Sequence, residues 1–125
     1  MAGLTLDAGA LIAFERNDRQ MVRRLTTAID HDLELVVPAG VVGQVWRNGR
    51  TQARLGYLLA MRELEIEPLD DERARAAGRL CGVTNTADAI DGSVVLSARR
   101  CGHQIVTSDP EDLARLDPRA RLIVV

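Results

Sequence analysis

Short apolar runs alternate along this chain with longer segments of helical periodicity, and that alternation limits the possible folds more than any other feature. Residues 3–6, Leu33 to Val37, Leu64 to Pro68, Gln104 to Thr107 and Arg121 to Val125 read as strands. The stretches between them carry helical spacing. Ala8 to Phe14 reads as a short helix. Asp18 can cap a second, with Met21, Val22, Leu25 and Ile29 on one face. Pro38 opens a third, whose apolar face is Val41, Val42, Val45 and Trp46, and a fourth runs through Leu55, Leu58, Leu59 and Arg62. Asp70-Asp71-Glu72 starts a helix ending near Gly82, Thr86 caps one from about Ala87 to Cys101, and Pro110 to Leu116 forms the last. Such alternation implies an α/β fold with a mostly parallel central sheet and helices on both faces, a three-layer α/β/α arrangement. The 125 residues fit one domain, residues 1–125, with no repeat, low-complexity stretch or linker.

Composition excludes several functions. The only aromatics are Phe14, Trp46 and Tyr57, so an aromatic platform for stacked bases is not expected. All sixteen basic residues are Arg, which rules out a catalytic lysine. Cys81 and Cys101 lack the CxxC spacing of zinc or redox sites and read as buried thiols of a reducing compartment. His31 and His103 have no ligand spacing and read as surface or strand-edge residues. The longest apolar run, Leu35 to Gly43, is broken by Pro38 and is too short to span a membrane. With no secretory leader pattern, a cytoplasmic location is expected.

Five aspartates lie where strands end and helices begin: Asp7, Asp88, Asp91, Asp109 and Asp112. In an open α/β sheet those positions face one crevice at the carboxyl ends of the strands, where ligands bind. Converging carboxylates repel by roughly 1–4 kcal/mol per close pair, and a divalent cation with oxygen ligands relieves that repulsion. Helix capping accounts for some of these residues equally well. Asp109-Pro110 has the form of an N-cap, Asp112 could complete it, and Asp88 falls in a first turn. Asp7 and Asp91 are harder to explain by capping, because each interrupts a segment otherwise fit for burial. Asp88 and Asp91, three apart, share a helix face.

The arrangement resembles the PIN-domain family, in particular the VapC toxin ribonucleases of bacterial toxin–antitoxin pairs. The likeness rests on Leu6-Asp7-Ala8-Gly9-Ala10-Leu11-Ile12-Ala13, on the run from Asp91 to Gly102, and on Val106-Thr107-Ser108-Asp109-Pro110-Glu111-Asp112-Leu113. It implies a PIN-like fold and a Mg²⁺- or Mn²⁺-dependent endoribonuclease that hydrolyses RNA phosphodiester bonds as the toxin of such a pair. Asp7, Asp91 and Asp109 would be the metal ligands, with Asp88 and Asp112 as helper acids. It also implies a cognate antitoxin and a homodimer. One position departs: a glutamate is usual six residues after the proline that ends the second strand, and here Pro38 is followed by Gln44. Gln44 can orient a water or offer its carbonyl, but it brings no charge. A second reading therefore stays open, a PIN-like binding module with weak or no hydrolysis.

The chemistry needs no protein nucleophile. A carboxylate-held cation lowers the pKa of a bound water and neutralises the scissile phosphate. Thr107 could bind a phosphate oxygen or a water. Arg47, Arg50 and Arg54 would form a phosphate-gripping row if one helix ran across Gly49; a solvated or partner-binding face is the equal alternative. A response-regulator receiver would need an Asp pair at the first strand and a late Lys, and a haloacid-dehalogenase-like phosphatase would need Asp-x-Asp there. Asp7-Ala8-Gly9 meets neither requirement.

Overall fold

The computed structural model describes residues 3–125, so the first two positions of the expected domain lie outside the described residues. The element order is β1 (Gly3–Leu6), α1 (Ala8–Glu15), α2 (Arg19–Asp30), β2 (Glu34–Pro38), α3 (Ala39–Val45), α4 (Ala53–Leu59), β3 (Leu64–Glu67), α5 (Asp71–Thr84), α6 (Ala89–Cys101), β4 (Gln104–Thr107), α7 (Pro110–Leu116) and β5 (Leu122–Val124). The five strands form one sheet in the order β3-β2-β1-β4-β5. Every pairing is parallel, with Thr5 opposite Val36 on one side and Ile105 on the other. The expected α/β class is therefore borne out, and the mostly parallel sheet is parallel throughout.

Burial explains why these runs are strands. All four residues of β1 are buried, so both pleat faces are covered, as a central parallel strand requires. On one side α6 lies against β1, β2 and β4 and carries α5 and α7 with it. On the other, α1 packs on β1 and β4 beside α2 and α4. The core is aliphatic: Leu6, Leu11, Met21, Leu35, Leu55, Leu58, Ile105 and Leu113 are its largest fully buried side chains. Local signals set the helix ends. Asp18 and Asp70 accept hydrogen bonds from the N–H groups of Met21 and Arg73 at 2.8 Å. Gly102 closes α6 in the left-handed conformation, with φ 70°.

Several expectations need adjusting. Asp88, not Thr86, caps α6, because its carboxylate reaches the N–H groups of Ile90 and Asp91. The helix before it runs past Gly82 to Thr84 and stops on Asn85 at φ 57°. Arg47, Arg50 and Arg54 do not share a helix. α3 ends at Val45, and Gln52 folds the following loop back by accepting from the N–H groups of Arg47 and Asn48. Arg54 instead lies over the Phe14 ring, 5.3 Å from its centre, and donates to Asn17. His103 is buried, not peripheral: Nδ1 pairs with the Thr5 hydroxyl and Nε2 with Glu34, each at 3.1 Å. Cys81 and Cys101 are free thiols on α5 and α6, Cys81 buried and Cys101 half-buried.

Candidate functional site

Strand order locates the crevice. From β1 the chain moves outward through β2 to β3, then returns to place β4 on the other side of β1. The connections after β1 and β4 therefore diverge, leaving a gap at their carboxyl ends where ligands of such sheets bind. Asp7 directly follows β1, and Ser108-Asp109 follows β4.

Asp7 is held from several directions. Its N–H donates to the carbonyl of Val106 at 3.0 Å, tying the end of β1 to β4. Its carboxylate caps α1 by accepting from Ala8 N at 2.7 Å, and accepts from the Thr107 hydroxyl at 2.9 Å. The side chain is buried, at 4% exposure. Burial raises its pKa, the two hydrogen bonds pull it back, and the charges of Asp109 and Asp88 push it up again.

Asp91 is half-buried in the first turn of α6. Burial is the main cause that pushes its pKa up to about 7, followed by the charges of Asp88, Asp7, Asp112 and Asp109. That set matters more than the value. Asp91 feels all four of the other aspartates, although three separate parts of the chain supply the five. Among the described residues no hydrogen bond reaches the Asp91 or Asp109 side chain, and Asp109 makes no side-chain cap although it stands at the N-cap of α7. Its N–H donates to Thr107 Oγ1 at 2.9 Å, so Thr107 links the two strand ends. Thr107 thus acts here as a brace, a role the sequence did not suggest.

Asp88 and Asp112 have separate local duties. Asp88 caps α6, and the exposed Asp112 ion-pairs with Arg115 at 3.2 Å. Asp88, Asp91 and Asp112 line one cavity of about 310 Å³, together with Asn85, Thr86 and Arg115. Sequence reasoning missed these last three; only the packing of α6 against α5 and α7 brings them together. Gln44 lies on α3, which packs against both α1 and α6. Its Oε1 is buried without a hydrogen-bond partner among the described residues. Gly9 is also part of the construction. A Cβ there would lie 2.6 Å from Ser108 Cβ and 2.7 Å from its backbone nitrogen, so only glycine lets α1 approach the end of β4 this closely.

The donor set is hard and anionic, and suits Mg²⁺ or Mn²⁺ better than a soft metal. Among the described residues, no three carboxylate, imidazole or thiol groups are close enough to close directly around one ion.

No family model matches the chain, and no curated protein matches it. Solved structures do share its fold. A chain in the crystal structure of VapBC2 from Rickettsia felis bound to a DNA fragment from its promoter matches at TM-score 0.73 and 15% identity, over 100% of this chain and 99% of that one. A chain of FitAcB from Neisseria gonorrhoeae matches at TM-score 0.62 and 17% identity, over 96% of each. A chain of FitAB bound to an IR36 DNA fragment matches at TM-score 0.65 and 15% identity, over 97% of this chain and 94% of that one. These findings correct the family assignment. The motif spacing pointed to a PIN-domain toxin of VapC type. No family model supports that membership, and the matched structures are complexes that include VapB- and FitA-type antitoxins. The physical reason is plain: acids at the carboxyl ends of parallel strands recur in any open α/β sheet with a ligand at its switch point, so they mark a site and not a family. Among the described residues, no helix is long and apolar enough to cross a membrane.

Proposed function

We propose that the chain is a Mg²⁺- or Mn²⁺-dependent endoribonuclease that hydrolyses RNA phosphodiester bonds as one component of a toxin–antitoxin assembly. The observation that carries the reading is the pair Asp7 and Asp91: two carboxylates withdrawn from water, pushed toward neutrality first by burial and then by two neighbouring acids at Asp7 and four at Asp91, with no ion pair to either among the described residues. Buried carboxylates without a counter-charge are costly, and a cation is the compensation that also has a use in phosphodiester chemistry. When bound, the ion supplies a more acidic water and neutralises charge on the scissile phosphate. Asp7, Asp91 and Asp109 would hold it, directly or through water. Thr107 keeps Asp7 oriented, and Gln44 would orient a water at the edge. Arg115, which lines the same cavity as Asp91 and pairs with Asp112, would meet a phosphate of the strand.

The VapBC2 and FitAB assemblies that share the fold support the toxin–antitoxin setting. A protein partner, as antitoxin or second copy, has a place to dock: Phe14, Ala53, Arg54 and Tyr57 line a cavity of about 340 Å³, and Tyr57 and Trp46 are 71% and 39% exposed.

A second reading is favoured by Gln44. If a carboxylate is needed there, the chain is a binding module with weak or no hydrolysis. RNA cleavage with Mg²⁺ or Mn²⁺ against EDTA, on wild type, Asp7→Ala and Gln44→Glu, separates the two. Cleavage that needs both metal and Asp7 supports the nuclease. Cleavage that survives chelation and Asp7→Ala would falsify it, and activity gained only with Gln44→Glu supports the module.

A further inference from the structure

A second cavity, of about 400 Å³, lies between α2 and the sheet, beside Leu4 of β1, Gln104 of β4 and Ile123 of β5. It is far from the acidic crevice in chemistry as well as position. Gln20, Arg23, Arg24 and Thr27 recur at helical spacing and present one polar stripe to it. Among the described residues, no Asp or Glu lines it, and neither Arg23 nor Arg24 forms an ion pair. No acid on α2 stands three or four residues from either arginine. Arg24 Nε is buried with no hydrogen-bond partner. A buried guanidinium N–H left unpaired is costly, more so because the group is charged, and an anion drawn to the guanidinium offsets that cost. The floor is apolar, formed by Leu4, Leu33 and Ile123, and can take the sugar or base edge that accompanies a phosphate.

We infer that this cavity is a phosphate-binding site, in which Arg24 and Arg23 grip a phosphoryl group and Gln20, Thr27 and Gln104 supply further hydrogen bonds. The phosphate comes from an RNA strand lying outside the cleavage crevice, or from a free phosphoryl anion. The first source rests on the RNA reading of the acidic site; the cavity itself does not.

The test is binding in EDTA, where no cleavage step intervenes. Wild type, Arg24→Gln and Arg23→Gln are titrated with inorganic phosphate, then with a ten-nucleotide single-stranded RNA, while backbone amide NMR shifts are followed. Phosphate is expected to move amides of α2, β4 and β5 in wild type and to move them about tenfold less readily in Arg24→Gln, the loss of one charge-assisted hydrogen bond. A matching tenfold loss for the RNA assigns the strand as the source; unchanged RNA affinity assigns a free anion. Phosphate that moves no α2 amide, or binds Arg24→Gln and Arg23→Gln as tightly as wild type, overturns the site. The amide spectrum of each variant reports whether it is folded. A failed nuclease assay with phosphate still bound at α2 would sink the catalytic reading and leave this one standing.

Discussion

Two buried carboxylates end strands of this sheet, and their surroundings are opposite. Glu67, at the end of β3, is 6% exposed and meets cations from its own chain. Arg73 stands 3.6 Å from Oε1, Arg100 pairs with Oε2, and the Ser97 hydroxyl donates to Oε1. Arg100 meets Oε2 as an ion pair without hydrogen-bond geometry. Asp7, at the end of β1, is 4% exposed and meets a hydroxyl, one N–H and the field of other acids. The chain pairs the first charge with its own arginines, whereas among the described residues the second has no ion pair. Glu67 therefore fixes the β3 edge to α5 and α6, whereas Asp7 ties the end of β1 to β4 through Thr107.

Substitution should separate the two roles most sharply. Asp7→Ala is expected to lower RNA cleavage at least 100-fold, about 2.7 kcal/mol of barrier, while leaving thermal stability at neutral pH unchanged or raised. Glu67→Ala is expected to do the reverse. It should lose about 2–4 kcal/mol of stability in urea titration, because its arginines lose their partner, and keep cleavage per folded molecule. Equal loss of stability in both variants would break the comparison.

Gly9→Ala comes next. Its new methyl would meet Ser108, so α1 must draw back from β4, at about 1–3 kcal/mol. Cleavage should fall beyond what the lost stability explains; a variant as active as wild type would show that the crevice tolerates widening.

A pH series sharpens the contrast further. The fold favours the neutral form of Asp91, whose pKa rises from 3.8 to about 7. Its contribution to stability is full below pH 4, is lost as pH climbs from about 4 to about 7, and changes little above that. Allowing for its partial exposure, the loss is about 1–2 kcal/mol. Asp91→Asn should flatten that part of the curve, and millimolar Mg²⁺ at pH 7.5 should restore stability to wild type but not to Asp91→Asn. Glu67→Gln should leave the Mg²⁺ response intact. The smallest effect expected is from Arg54→Ala, about 1 kcal/mol through its contact with Phe14, with no change in metal response.

The aspartates were visible in the sequence because a charge inside an apolar run needs an explanation, and Asp7 and Asp91 each break such a run. Strand positions were visible for a related reason: a central parallel strand is buried on both faces and reads as uninterrupted apolar sequence. The arginine row was misread because helical spacing was carried across residues 46–52. There Gln52 caps a loop with its side chain, a contact that leaves no periodic trace. His103 was misread because its partners, Thr5 and Glu34, are 98 and 69 residues away. Asn85 and Arg115 escaped notice because nothing marks exposed polar residues until neighbouring helices enclose a cavity, and Thr86 reads from the sequence only as a helix cap.

The sequence by itself determined the alternation of strands and helices, and with it the parallel sheet, since hydrophobic period and capping residues act within a few positions of one another. It also determined that acids would stand at the strand ends. Only the tertiary structure decided which of those acids lack a counter-charge. The sequence holds acids and arginines in similar number, 18 and 16, and gives no sign of how they pair. Strand order sent Arg73 and Arg100 to Glu67, and brought the charges of Asp7, Asp88, Asp109 and Asp112 to bear on Asp91, with no ion pair to Asp7 or Asp91 among the described residues. Electrostatic energy depends on distance and burial, and both are set by the packing of remote segments.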